Sequence, residues 1–277
     1  ARGPRRALAD RLRMTTRCGV LGWPVRHSRS PAMHNAAYAA LGLDWRYVHL
    51  PVPPGLLAET VRALGGSGYR GANVTIPHKE AALAAADEAS AAAREIGAAN
   101  TLTFRDDGTV VADNTDAGGL LDALGELPAG LRCLVLGAGG AGRAAAWALR
   151  EAGAAEVWVW NRTPERAREL AASLGVRALE RPRPADLIVN ATSVGLGGGM
   201  DATDALAALG LAGMEPPRIL ADMVYGAEPT ALCEWAARAG AHVVDGLEIL
   251  VRQGARSFRI WTGQEPPLEV MRRAARA

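Results

Sequence analysis

Of the 31 basic residues in this 277-residue sequence, 30 are arginines and one, Lys79, is a lysine. A planar guanidinium holds its proton under ordinary conditions, whereas a compact ammonium can give one up, so a lysine left alone among arginines marks a candidate proton-transfer site. Chance survival is the competing reading of a single instance. Gly137, Gly139 and Gly142 form a second candidate, a GxGxxG that directly follows the apolar run Leu131 to Leu136 and opens a helical stretch. Glycines in that context let the backbone, with Ala138, Gly140 and Ala141, turn tightly and approach a pyrophosphate at a helix N-terminus. The end of the next strand bears on which dinucleotide is meant. A site for NAD normally places an acid there for the ribose 2′-hydroxyl, whereas this chain has Asn161, Arg162 and Thr163, with Arg166 a turn later. Arginines in that place suit the 2′-phosphate of NADP; the competing reading makes them solvated charges at a helix end.

Upstream, GWPVRHSRSPAMHN is a loop of glycine and small hydroxyls leading into a helix with Pro31 in its first turn. Ser28 and Ser30 can donate hydroxyl hydrogen bonds to a carboxylate, or one of them can simply cap the helix. NVTIPHK sets Asn73, Thr75 and Lys79 around a proline-ended strand, and ANT and DNTD add Asn100, Asn114, Thr115 and Asp116 where loops leave strands. His27 and His34 are seven apart without a nearby carboxylate, and the five histidines show no zinc spacing, so no metal site is expected. Cys18, Cys133 and Cys233 stand far apart and fit reduced thiols of a cytoplasmic protein. The formal charge of +2 calls for neither nucleic acid nor an acidic membrane, and no apolar run is long enough to span one. The basic stretch Ala1 to Met14 lacks the apolar stretch and cleavage site of a secretory signal and reads as a frayed tail.

These residues need elements to hold them. Short apolar runs alternate with alanine-rich helical stretches, the pattern of an α/β protein. In the first part, strands are expected at Cys18 to Leu21, Trp45 to Leu50 and Gly71 to Ile76, with helices at Pro31 to Leu41, Leu56 to Leu64 and Glu80 to Ala93. Thr101 to Phe104 and Val110 to Ala112 flank a hairpin turn at Asp106, Asp107 and Gly108. After Pro128 and Gly130, strands are expected at Leu131 to Leu136, Glu156 to Trp160, Asp186 to Asn190, Ile219 to Met223 and His242 to Val244. Helices such as Gly142 to Ala152 and Thr230 to Ala239 lie between them, an alternation that implies a doubly wound parallel sheet.

The segments GWPVRHSRSPAMHN, NVTIPHK, GAANTL, DNTDAGG, GAGGAGRA, NRT, NATSVGL and VDGLEILVRQGARSF occur in that order across most of the chain. In these the sequence resembles the shikimate dehydrogenase family, which includes shikimate and quinate dehydrogenases. The resemblance implies two domains with a cleft between them. An N-terminal α/β substrate domain would span 1–116 and be completed by C-terminal helices at 248–277, and a Rossmann-type doubly wound NADP domain would span 117–247. It also implies an NADP-dependent oxidoreductase of aromatic amino-acid biosynthesis that reduces the ring ketone of 3-dehydroshikimate to shikimate, acting as a monomer or homodimer. Carried over by motif, Ser28 and Ser30 would hold the substrate carboxylate. Thr75, Asn100 and Gln253 would contact ring hydroxyls, and Asn73 and Tyr225 would line the substrate site. Lys79 and Asp116 would be the catalytic pair, with the lysine as acid in reduction and base in oxidation; a plain surface salt bridge is the competing reading of any such pair. On the cofactor side the resemblance adds Thr192, Met223 and Gly246 to the glycine turn and to Asn161, Arg162, Thr163 and Arg166.

One departure stands out. After Asp222, Met223, Val224 and Tyr225 the family commonly continues with asparagine and proline, whereas this chain has Gly226 and Ala227, with Pro229 and Thr230 further on. Contacts from this loop are therefore open. A quinate dehydrogenase, or an enzyme acting on an amino-substituted shikimate, would use the same lysine and aspartate, while a dinucleotide-binding sensor without turnover would be expected to lose one of them. Serine at both 28 and 30 favours the flat acid shikimate over quinate, because relatives favouring quinate often carry threonine at the second position.

Overall fold

The computed structural model describes residues 15–277; the basic stretch read as a frayed tail lies outside the described residues. Two six-stranded sheets organise the chain. The first contains β1 (Thr16–Gly22), β2 (Trp45–Pro51), β3 (Tyr69–Val74), β4 (Glu88–Ala89), β5 (Thr101–Phe104) and β6 (Val110–Asp113) in the order β2-β1-β3-β5-β6-β4. The second contains β7 (Arg132–Leu136), β8 (Glu156–Trp160), β9 (Arg177–Ala178), β10 (Leu187–Asn190), β11 (Ile219–Asp222) and β12 (His242–Val244) in the order β12-β11-β10-β7-β8-β9. In chain order the helices are α1 (Ser30–Ala40), α2 (Leu57–Gly65), α3 (Lys79–Ala84), α4 (Ala91–Ile96), α5 (Thr115–Leu124), α6 (Gly140–Glu151), α7 (Pro164–Leu174), α8 (Ala202–Ala208), α9 (Ala231–Arg238), α10 (Gly246–Thr262) and α11 (Leu268–Arg276).

In the first sheet β1 runs parallel to both neighbours, while β5 is antiparallel to β3 and β6. The central strand reads as a continuous apolar run because both its faces are covered. On one face, Tyr38 of α1 and Phe258, Trp261 and Met271 of the C-terminal helices close a core around Cys18, Val20 and Tyr47. The other face is closed by Leu57, Val61 and Leu64 of α2 against Val74, Leu102 and Phe104. Asn35 of α1 ties the helix to β2 by accepting from Tyr47 N at 2.8 Å and donating to Tyr47 O at 2.9 Å.

The single helix expected over Glu80 to Ala93 is two helices, α3 and α4, separated by β4. Alanine favours helix throughout, but Asp87 accepts from Val110 N at 2.8 Å and Ser90 caps α4 by accepting from Ala93 N at 3.1 Å. These side chains offer the backbone an alternative to helix, and the strand pairing to β6 takes it. A helix that the periodicity did not single out, α5, begins with Asn114 as its N-cap, accepting from Asp116 N and Ala117 N.

The second sheet is parallel throughout. Chain progression reverses direction between β7 and β10, and in such sheets the carboxyl ends of the strands at that point leave a crevice. The two units meet through helices. Leu120 and Leu124 of α5 pack into the core of the second sheet, and Ala117 packs with Ile96, Ala98, Ala144 and Ala148. Across the same seam Trp147 donates to Glu95 at 2.9 Å and Arg143 to Ile96 O at 3.2 Å. The boundary expected between 116 and 117 would fall in the first turn of α5, a helix that packs against both units.

Helix α5 lies against α10 so closely that a Cβ on Gly119 would sit 2.7 Å from both Cα and N of Gln253. A backbone neighbour cannot swing aside. We expect Gly119→Ala to force the helices apart and destabilise the protein by about 1–3 kcal/mol, the usual cost of overpacking, as read by thermal or denaturant unfolding. An unchanged midpoint would mean that this seam is soft.

Candidate active site

Lys79 stands at the start of α3, where β3 and its connecting loop end, and Asp116 lies in the first turn of α5. The folded chain brings them into an ion pair, with Lys79 Nζ 2.6 Å from Asp116 Oδ2 and side chains only 13 % and 7 % exposed. A pair so shielded is unlike a surface salt bridge, and it requires further hydrogen bonds to offset desolvation. Asn100 supplies one, donating Nδ2 to Asp116 Oδ1 at 2.9 Å and to Gln253 Oε1 at 3.2 Å. Its Oδ1 is held by the backbone N–H of Thr115 at 2.6 Å. Asn114, besides capping α5, donates to Ala98 O at 2.9 Å, so the caps of one helix and the loop before β5 are built from one another.

Around this pair lies a cavity of about 170 Å³. All nine residues expected to contact substrate line it: Ser28, Ser30, Asn73, Thr75, Lys79, Asn100, Asp116, Tyr225 and Gln253. Their availability differs. The carboxamide of Asn73 is engaged at both ends, accepting from Tyr47 Oη at 2.8 Å and donating to Asn100 O and Thr101 Oγ1, each at 3.1 Å. Asn73 therefore braces the wall. Ser28 lies where a neighbouring groove adjoins the cavity, and Ser30 N donates to Ser28 Oγ at 3.3 Å. Despite the altered residues after it, Tyr225 lines this cavity together with Ser28, and burial pushes its phenol up.

The glycine turn lies beside the same lysine. Gly137 takes φ +106, which favours glycine, and a Cβ on Gly142 would collide with Gly137 O, so the first turn of α6 can lie directly on β7. A Cβ on Gly140 would lie 2.6 Å from Lys79 Cβ. That missing atom is what lets the lysine stem run alongside the turn. A second cavity, of about 450 Å³, extends from Lys79 along Gly137 to Ala141 to Asn161, Arg162, Thr163, Arg166 and Thr192. Asn161 shapes the turn, accepting from Ala138 N at 3.2 Å and donating to Thr163 O at 2.9 Å. Arg162 and Arg166 are exposed along its rim. No carboxylate occupies the end of β8, which runs Trp160, Asn161, Arg162. This chemistry fits a dinucleotide carrying a 2′-phosphate. Ala141 and Thr192 border both spaces, whereas Met223 and Gly246, expected on the cofactor side, line the smaller cavity and not the second. Gly246 is the first residue of α10, and a Cβ there would strike Val224 O, so close packing rather than a turn requires it.

One polar cluster was not anticipated. Asn190 and Asp222 end adjacent strands in register, and Asn190 donates to Asp222 Oδ1 at 2.8 Å. Asn190 also accepts from Thr192 Oγ1 at 2.7 Å, while Asp222 accepts from Val224 N at 3.0 Å and Thr230 Oγ1 at 2.5 Å. Burial pushes the Asp222 carboxyl up to about 6 against these hydrogen bonds. Together they anchor the loops carrying Thr192, Met223 and Tyr225. The available signal was a polar residue closing each of the apolar runs LIVN and ILAD. The remaining polar candidates do no chemistry here. His34 is buried, stacked on Tyr47 with ring centroids 4.4 Å apart, and pushed down to about 3 by burial. Burial pushes Cys18 and Cys133 up to about 12 and Cys233 to about 11, which leaves them poor nucleophiles. Among the described residues no group of His, Cys, Asp or Glu is placed to hold a metal ion, and no helix is long and apolar enough to cross a membrane.

A doubly wound dinucleotide crevice facing a buried ammonium–carboxylate pair defines a two-domain oxidoreductase. Residues 20–102 match the family model of the shikimate dehydrogenase substrate binding domain, 123–193 that of shikimate / quinate 5-dehydrogenase, and 246–276 that of the shikimate 5′-dehydrogenase C-terminal domain. The chain is 48% identical over 269 residues to the shikimate dehydrogenase (NADP(+)) of one strain of Thermus thermophilus, covering 94% of this chain and 97% of the relative. It is 45% identical over 267 residues to the protein of the same name from Methanothermobacter thermautotrophicus, with 91% and 93% covered. Its structure is similar to that of shikimate 5-dehydrogenase from a second strain of Thermus thermophilus in complex with NADP(H) and shikimate, with a TM-score of 0.82, 44% identity and 94% and 98% coverage. A 5-ketofructose reductase of a Gluconobacter species is also similar, with a TM-score of 0.81, 32% identity and 95% and 98% coverage. The chain belongs to the shikimate dehydrogenase family.

We expect the double replacement Arg162→Ala with Arg166→Ala to weaken binding of NADP by roughly 100-fold or more in calorimetry, since each charge-assisted contact contributes about 1.5–3 kcal/mol. NAD binding should change little. Equal losses for both dinucleotides would place the 2′-phosphate elsewhere.

Proposed function

We propose that this protein is an NADP-dependent shikimate dehydrogenase, reducing the ring ketone of 3-dehydroshikimate to the alcohol of shikimate and catalysing the reverse reaction. The observation that carries the reading is the position of the Lys79–Asp116 pair. It is shielded, it borders the small cavity, and its lysine stem lies against Gly140 of the dinucleotide turn. A similar protein whose structure holds NADP(H) and shikimate supports the choice of both ligands.

When bound, the dinucleotide supplies a hydride to the ketone carbon or accepts one from the alcohol carbon. The chain's own residues deal with the oxygen. As the carbonyl is reduced its oxygen gains negative charge, and Lys79 Nζ stabilises that charge and delivers the proton that makes the alcohol. In oxidation the same nitrogen removes the proton. Asp116 holds the ammonium through Oδ2; Asn100, its own carboxamide committed, fixes that carboxylate and Gln253; and Gln253 Nε2 keeps one hydrogen for a neighbouring ring hydroxyl. Ser28, Ser30 and Tyr225 receive the carboxylate at the opposite end, which sets the ring's direction in the cavity. The buried, unpaired thiols accord with a cytoplasmic setting.

The test is a spectrophotometric assay of NADP and NAD reduction with shikimate and quinate in parallel. We expect NADP with shikimate to dominate, and kcat/KM for shikimate to exceed that for quinate by roughly tenfold or more, because quinate's additional hydroxyl falls where Ser28 and Ser30 bind. Comparable efficiency on quinate would favour a dual-substrate enzyme, and turnover of neither acid would sink the reading. Lys79→Ala should lower kcat by about 10² to 10⁴ with a smaller effect on KM, as removal of a general acid does. Lys79→Arg should recover little of that loss, because guanidinium does not readily release a proton. A normal kcat in either variant would remove Lys79 from proton transfer.

A further inference from the structure

The charges lining the small cavity leave a bound carboxylate without a partner. Lys79 and Asp116 are the lysine and the acid of its lining among the described residues, and they neutralise each other at 2.6 Å. The end where Ser28 and Ser30 stand offers hydroxyls, which orient an anion but carry no charge. Moving an unpaired carboxylate from water into such a place is costly. The fold itself does not make the choice of an acid, because a similar structure belongs to a reductase of 5-ketofructose, an uncharged keto-sugar. The selection for charge must lie in particular residues of this chain.

An open groove of about 880 Å³ adjoins the cavity at that end, and Pro24, His27, Ser28, Leu196 and Tyr225 border both spaces. Arg29, lying between the two serines in sequence, is half-buried in its wall. The groove also carries Arg26, His27 and His49 on the basic side and Glu228 on the acidic side. Among the described residues no carboxylate lies within salt-bridge distance of Arg29, in contrast to Arg252, Arg256 and Arg272 on the C-terminal helices, which are all paired. Tyr225, which borders both spaces with Ser28, has its phenol pushed up by burial, and the nearby Arg29 guanidinium opposes that shift. His49 Nε2, 3.0 Å from Ser28 O, fastens the loop that carries these groups.

Resting on the functional reading above, we propose that Arg29 is a specificity-determining residue, its guanidinium supplying the countercharge for the carboxylate that the Ser28, Ser30 and Tyr225 hydroxyls orient. The pocket thereby selects ring acids over uncharged ring analogues of the same shape. The serines set geometry and Arg29 sets charge, so removing the charge should cost affinity for acids in particular. Part of the attraction acts through solvent at the groove and is therefore weakened by salt.

The experiment compares shikimate with its neutral carboxamide, at saturating NADP, in the unmodified protein and in Arg29→Met, Arg29→Gln and Arg29→Lys. The carboxamide is scored by kcat/KM if it is turned over and by its inhibition constant against shikimate if it is not. Loss of a charge-assisted contact predicts that the acid-over-amide preference falls about tenfold or more in Arg29→Met and Arg29→Gln, mainly through KM for the acid. Arg29→Lys should restore most of it, and raising the salt concentration should increase KM for the acid more in the unmodified protein than in Arg29→Met. Unchanged preference in Arg29→Met and Arg29→Gln overturns the proposal, whether both ligands are handled normally or both are lost together, the second outcome marking Arg29 as merely structural. Failure of the unmodified protein to oxidise shikimate would instead sink the functional reading, so the two failures are distinguishable.

Discussion

A buried ammonium and a buried carboxylate require each other, and much of this molecule is arranged to keep Lys79 and Asp116 in contact. Breaking such a pair by removing one member leaves an uncompensated charge in a poorly solvated place. The 2.6 Å contact survives because the remaining oxygen of Asp116 is satisfied by Asn100, whose own oxygen is fixed by Thr115 N. Asn73 braces the next layer with Tyr47 and Thr101. Half-satisfied, such a network would be worse than an apolar core; satisfied throughout, it specifies one geometry. The sole lysine sits where a transferable proton is useful, and the surrounding carboxamides are what make that position tolerable.

Small residues bring the network to the cofactor side. Gly140 makes room for the lysine stem, Gly119 lets α5 lie on the backbone of α10, and Gly246 brings the start of α10 against the loop after β11. The alanines at the seam of α4, α5 and α6 serve the same end from the other side. Helices approach closely where side chains are short, so the two sheets meet near the reacting groups without a large apolar core between them. The cleft is thus held by a close-packed seam on one side, while on the other Asn190 and Asp222 anchor the loops that border it.

Parts of this arrangement were legible from the chain. Apolar runs placed most strands to within a residue or two, because a buried parallel strand has to be apolar on both faces. The glycine turn declared its purpose through its position between strand and helix, and the motif resemblance named most of the polar residues gathered at the pair and along the turn. Local pattern failed where a tertiary partner outweighed it. Alanine content promised one helix over Glu80 to Ala93, and pairing with β6 divided it. The 3.6-residue period did not expose α5, whose residues are buried by neighbours on several sides.

The sequence by itself determined which chemical groups are present and in what local setting: one transferable lysine, a glycine-rich turn before a helix, arginines where an acid would otherwise bind a ribose, and hydroxyls ahead of Pro31. These follow from residue type and from neighbours a few positions away. Only the tertiary structure decided which groups are free to act. Asn73 and Asn161 read as ligands, yet their carboxamides are committed to Tyr47, Thr101, Ala138 and Thr163. Tyr225, left open by the altered residues after it, lines the cavity with Ser28, and Arg29, invisible among 30 arginines, lines the groove that adjoins the cavity there. The physical reason is that hydrogen-bonding capacity and solvation are exhausted or spared by partners distant in the chain, and those partners exist only once the two sheets have come together.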